Sequence, residues 1–146
     1  MGLILCATRG GEASIPTQLK AIELAAQTSD ELAFLYVADS SFLNKTAAAV
    51  VVDVEDELVN MGEFLLAMAG ERAAKQGVQA TSIIRIGVVR EILPEVAKEL
   101  SASTIILGRP AGESSRFQEA DFEQFIGAIE AETQAKVLAF KELLPE

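Results

Sequence analysis

The chain has no histidine, no tryptophan and a single cysteine, and it sets 12 basic residues against 22 acidic ones over 146 positions. Each scarcity excludes something. Without histidine there is no serine–histidine triad and no imidazole metal ligand. Cys6 alone cannot form an intrachain disulfide. Its place in the apolar run Leu3-Ile4-Leu5-Cys6-Ala7 makes it a packing residue rather than a reactive thiol. A net charge of −10 repels phosphate backbones, so no nucleic-acid partner is expected. No apolar run approaches the roughly 18–20 residues that span a bilayer. The start lacks a basic segment followed by an apolar stretch and a cleavage site, and Met1-Gly2 fits a myristoylation start only superficially. The expectation is a cytoplasmic protein with neither membrane insertion nor a signal peptide. No nucleophile–base pair or metal cluster can be pointed to, so the expectation is also that it is not an enzyme.

What is present is a chain that is 50% hydrophobic, enough for one domain over residues 1–146 with a real core. Leu3–Ala7 is a short continuous apolar run of the kind that makes a strand buried on both faces, and further strands are read at "ELAFLYV" (Glu31–Val37), "TSIIRI" (Thr81–Ile86), "STIIL" (Ser103–Leu107) and "KVLAF" (Lys136–Phe140). Helical spacing fills the gaps. Ser14 offers an N-cap oxygen and Pro16 suits a first turn, with Ile15, Leu19, Ile22 and Ala26 as the expected inward face. Val54, Leu58, Met61, Leu65 and Met68 then step by four and three, the methionines reading as core filling. Gly77 closes that helix. The apolar stretch Ala47–Val52 before it reads as a buried helix entry, the alternatives being a lid over the crevice or a contact with a partner. "VVREILPEVAKEL" turns Ile92, Val96 and Leu100 inward, with Pro94 near enough to its start to be tolerated. Phe122, Phe125, Ile126 and Ile129 stripe a fourth helix. This alternation implies an α/β fold, with parallel strands joined by right-handed crossovers and helices on both faces.

Open α/β sheets bind ligands outside the carboxyl ends of their strands. Of the six arginines, Arg9 follows the first strand, Arg90 the third, and Arg109 and Arg116 the fourth. In so acidic a chain that placement points to an anionic ligand. The plainer reading is pairing with Glu12, Glu91, Glu113, Glu119 or Asp121, which contributes roughly 0–1 kcal/mol per surface pair and implies no function. "ILGRPAGESSRF" (Ile106–Phe117) runs from a strand into a loop carrying glycines, hydroxyls and a guanidinium, the composition of an altered phosphate loop.

"ILCATRGGEAS" resembles the opening of the universal stress protein family, in which a strand leads through Asp-Gly-Ser into a helix. "FLYVAD" is similar to that family's second strand. "RIGVVREILPEVAKELSASTIILGRPAG" is similar to its third strand, third helix and fourth strand. The resemblance implies a five-stranded parallel sheet of order 3-2-1-4-5 sandwiched by four helices, Rossmann-like and of the adenine nucleotide alpha-hydrolase type. It places the first and fourth strands side by side, so that Arg9 and Arg109 could face one crevice. Many members resemble ATP-binding proteins, with Gly-x-x-Gly after the fourth strand and a later Gly-Ser. Here Gly108 matches the first glycine, and the second is Ala111 in place or Gly112 one residue late. Glu123 and Gln124 stand at the Gly-Ser pair, and Arg9 stands at the acidic residue expected near base and ribose.

The ligand-binding set so implied is Ala7, Thr8, Arg9, Gly10, Val37, Gly108, Arg109, Gly112, Ser114, Ser115 and Arg116, with no catalytic residue and no metal ligand. The expected function is a non-catalytic regulatory domain in stress response that senses a small anionic metabolite or nucleotide. An adenine nucleotide, AMP or ATP, is the cofactor the resemblance suggests. The alternatives are a ligand-free dimerisation or protein-interaction module, and an ATP-binding member despite the altered motif. A homodimer through Val137–Phe140 is expected, because an apolar edge strand is a template for pairing. A protein partner, or fusion to a transporter or kinase, also fits the resemblance.

Overall fold

The computed structural model describes residues 2–9, 12–39, 48–109 and 119–141. Five parallel strands, β1 (Leu3–Ala7), β2 (Glu31–Ala38), β3 (Ala80–Ile86), β4 (Thr104–Arg109) and β5 (Lys136–Lys141), form one sheet of order β3-β2-β1-β4-β5. Four helices connect them: α1 (Ile15–Thr28), α2 (Ala48–Lys75), α3 (Val89–Leu100) and α4 (Glu119–Thr133). In register, β1 sets Cys6 beside Phe34 of β2 and Ile106 of β4.

Strand parity divides the core. Ile4, Cys6, Leu32, Phe34, Tyr36 and Ile106 point to one face, where they pack with Ala21, Ile22 and Ala25 of α1 and Leu66, Ala69 and Ala73 of α2. Leu5, Ala33, Leu35, Ile105 and Leu107 point to the other, against Leu93, Val96 and Ala97 of α3 and Phe122 and Ile129 of α4. Alternate side chains of each central strand therefore meet different helices, which is why those strands are apolar throughout.

Three local expectations are corrected. Ser14 precedes α1 but makes no side-chain cap bond, because a 3-10 turn over Glu12–Ser14 leaves it in the right-handed helical region (φ −85°, ψ −12°) and buries it. The inward face of α1 is Thr17, Gln18, Ala21, Ile22 and Ala25, not Ile15, Leu19, Ile22 and Ala26; Leu19 is 46% exposed. Gln18 is drawn in by polar partners, its Nε2 donating to Thr8 Oγ1 and its Oε1 accepting from Arg72 Nη1, both at 2.9 Å. Leu19 follows about 100° further round the helix and is turned outward.

In α2 the sheet-facing ridge is Gly62, Leu66, Ala69 and Ala73, all buried, while Met61 is 53% and Met68 36% exposed. The small residues let the helix lie close to β2, with Gly62 against the Tyr36 ring, so the longer methionines are displaced to its flank. Phe122, Phe125, Ile126 and Ile129 do form the inner stripe of α4. Gly77 ends α2 at φ +76°. Of the stretch Ala47–Val52, Ala47 lies outside the described residues, and 48–52 begin α2.

Two helical glycines contact nothing that would resist a methyl group: a Cβ at Gly70 or Gly127 has no atom within 4 Å. Replacing either with alanine is expected to raise stability by about 0.5–1 kcal/mol through lost unfolded-state freedom. Urea denaturation reads the change, and a lower midpoint for both variants would reject the assignment.

Candidate functional site

At the carboxyl ends of β1, β2 and β4 lies a cleft of about 280 Å³. Its apolar wall is set by strand parity: Ala7, Leu35, Val37 and Leu107 all belong to the α3–α4 face of the sheet. Val89 closes it from α3, and Phe122 and Phe125 close it from α4. Gly108, which has no side chain, lines it at the end of β4. Among the described residues, charge enters the lining with Arg9, Asp39 and Arg90.

The two phenyl rings lie 6.4 Å apart between centroids and are tilted at 59°, a favoured aromatic arrangement. The Arg90 guanidinium carbon stands 5.8 Å from the Phe125 ring centroid, within cation–π range. Arg90 thus carries charge to the cleft while its position is tied to the wall. Thr8 is fixed twice over. Its amide donates to the Leu35 carbonyl at 2.9 Å, extending the β1–β2 ladder, and its buried hydroxyl accepts from Gln18.

Of the residues singled out in the sequence, the structure brings Ala7, Thr8, Arg9, Val37 and Gly108 together around this cleft. Arg109 ends β4, one residue beyond Gly108, and pairs in register with Lys141. Gly10, Gly112, Ser114, Ser115 and Arg116 lie outside the described residues. Val89, Asp39, Phe122 and Phe125 were not assigned to the site, and Arg90 entered only as a cation near the sheet edge. A signal for the rings existed: the stripe on α4 begins where the helix meets the carboxyl edge. Glu123 and Gln124 sit beside those rings in α4 and are exposed.

A wider concavity, about 1300 Å³, lies at the opposite edge. It is open, and its charged lining residues are Asp30, Glu31 and Glu71, all acidic. Such a surface repels an anion. Two described groups have displaced pKa values, and neither lines the cleft: burial pushes the Tyr36 phenol upward, and hydrogen bonds from Gly2 and Thr28 hold Asp30 below the usual carboxylate range. Among the described residues no group of three His, Cys, Asp or Glu is placed to hold a metal, and no helix is long and apolar enough to cross a membrane. The cleft can enclose a small molecule with an apolar body and hold a charged end at its rim.

The sequence profile of the universal stress protein family matches residues 1–120. A comparison with curated protein sequences returns no match. Among solved structures the chain is similar to the universal stress protein UspA from Lactobacillus plantarum, at 17% identity and a TM-score of 0.80, over 96% of this chain and 97% of that one. It is also similar to a universal stress protein in complex with cAMP (18% identity, TM-score 0.69, covering 97% and 98%). A third is a universal stress protein from Archaeoglobus fulgidus in complex with dAMP (12% identity, TM-score 0.65, covering 97% and 98%).

Proposed function

From the premise that the chain belongs to the universal stress protein family, we propose that it is a non-catalytic regulatory domain of the stress response. It binds a small anionic metabolite in the cleft at the carboxyl ends of β1, β2 and β4. The observation that carries this reading is the described lining itself: seven apolar side chains with two guanidiniums, Arg9 and Arg90, against one carboxylate, Asp39, in a protein of net charge −10. A guanidinium suits phosphate or carboxylate through paired hydrogen bonds. Two structural relatives are described as complexes with cAMP and dAMP, which supports an adenine nucleotide shorter than ATP as the candidate. At about 280 Å³ the described cleft is at the low end of ligand pockets, roughly 300–1,000 Å³.

The test is calorimetry with AMP, cAMP and magnesium ATP. AMP or cAMP is expected to bind more tightly than ATP, whose dissociation constant should be no tighter than about 0.1 mM. Replacing both Arg9 and Arg90 with alanine should abolish binding. Low-micromolar ATP affinity, or anion binding unchanged in the double variant, would overturn the reading.

The same proposal includes a homodimer through β5. This strand ends the sheet, beyond β4, and Val137–Phe140 is apolar. An apolar edge strand is a template for pairing with another chain, the alternative being that the tail "KELLPE" covers it. A ligand-free module acting through this edge is the alternative, favoured if no nucleotide binds. A monomer in sedimentation at micromolar concentration would remove the β5 contact from the proposal.

A further inference from the structure

The outer flank of α2 carries the three most continuous exposed apolar side chains of the described chain: Met61 at 53%, Phe64 at 66% and Met68 at 36% exposure. Glu57 and Lys75 are 18 positions apart, five full turns, and so share one line along the helix; the three apolar residues fall within about 40° of that line. This is not the face that packs on the sheet. Gly62 marks the sheet side by its approach to Tyr36, and Phe64 points about 160° away from it.

The stripe has an internal symmetry. Glu57 stands four residues before Met61, Arg72 stands four after Met68, and Phe64 and Leu65 hold the middle. Reversing the helix about that midpoint exchanges Met61 with Met68 and Glu57 with Arg72. A second α2 laid antiparallel therefore meets methionine with methionine, phenyl with leucine, and a carboxylate with a guanidinium. Lys75 adds a second cation at the same end, and Glu71 is the one like charge set against Glu57. A two-fold contact requires such self-complementarity, because the same patch must serve both partners.

We propose that this face of α2 is a contact between two copies of the chain, packed antiparallel about Phe64. Its apolar part is modest. The exposed fractions of three side chains of roughly 200 Å² each leave about 300 Å² per copy, the size of patch that is often functional on a monomer surface. Standard interfaces bury about 800 Å² per partner, so this contact is weak and assembles at high concentration. Arg72 can serve it while bonded to Gln18, since a guanidinium has five donors. The α2 helix covers β2 and β3, at the other side of the sheet from β5, so the contact is independent of any pairing through that edge.

The experiment is light scattering and sedimentation on the full chain between about 10 µM and 1 mM, a range that brackets such weak contacts. Wild type is expected to gain mass with concentration, and Phe64→Glu to remove that gain and halve the limiting mass. Glu57→Lys should weaken the association about fivefold, and adding Arg72→Glu should restore it, because the swap re-forms the pair with opposite polarity. All these positions are at least partly exposed, and circular dichroism verifies that each variant folds. A wild-type mass constant up to the highest concentration, a Phe64→Glu mass equal to that of wild type, or a charge swap that fails to rescue would overturn the proposal. Capture of another protein by Phe64 with no self-association would assign the face to that partner instead. A substitution in β5 that changes mass while Phe64→Glu does not would retain the β5 contact and reject this one.

Discussion

Replacing Gly62 with valine is expected to cost about 3 kcal/mol or more of folding stability, one of the largest effects of any single substitution in α2. A Cβ at this position lies 2.5, 2.8 and 3.1 Å from Cδ1, Cε1 and Cγ of Tyr36. The ring is 7% exposed and belongs to β2, which is paired on both sides, so it cannot yield without disturbing the sheet. The helix would have to lift, opening the contacts of Leu66, Ala69 and Ala73. Alanine should also destabilise, though less. That sign is informative, because helix propensity alone predicts a gain of about 1 kcal/mol for glycine to alanine. Gly70→Ala in the same helix is the control with the opposite expected sign. Denaturant unfolding gives both values, and coupling of Gly62→Ala to Tyr36→Leu of more than about 0.5 kcal/mol would locate the clash in the ring. A neutral or stabilising Gly62→Ala would sink the argument.

Gln18→Ala is expected to cost about 3 kcal/mol. The carboxamide is 1% exposed and joins Thr8 to Arg72, which lies 54 positions away in sequence. Its loss leaves a cavity under α1, a buried hydroxyl deprived of this donor and a partly buried guanidinium deprived of this acceptor. Gln18→Leu keeps most of the volume and isolates the polar part, about 1–3 kcal/mol. Because Thr8 lines the cleft, both substitutions should also weaken ligand binding. A loss under about 1 kcal/mol in both variants would show that water replaces the bridge at little cost.

The strands and their sequence of alternation with helices were legible from residues alone: the central strands are buried on both faces and therefore apolar throughout, and the edge strand β3, though largely exposed, still carries the apolar pair Ile83-Ile84 between turn residues. Only one helix end was legible. Gly77 sits at positive φ as its lack of a Cβ suggests, yet α1, α3 and α4 end next to Ser29, Ser101 and Gln134 in the same left-handed region, and nothing in those residue types marks them. The strand order came with the family resemblance, since alternation by itself does not say on which side of β1 the chain returns.

The rotation of α1 and α2 about their own axes was decided only in three dimensions. Hydrophobic spacing put Leu19, Met61 and Met68 inside, but the structure buries Gln18 and Gly62 instead. An apolar side chain reveals what burial would gain, whereas whether a glutamine can be buried depends on an arginine two elements later, and whether a glycine is needed depends on a ring of the strand beneath the helix. The site divides in the same way. Arg9 follows from the rule that ligands bind at the carboxyl ends of strands, a local property of each strand end, whereas Val37 and Gly108 came with the family resemblance. Arg90, Phe122 and Phe125 join them only because the crossovers lay α3 and α4 over the same face of the sheet, a placement made by tertiary packing and written at no single position of the chain.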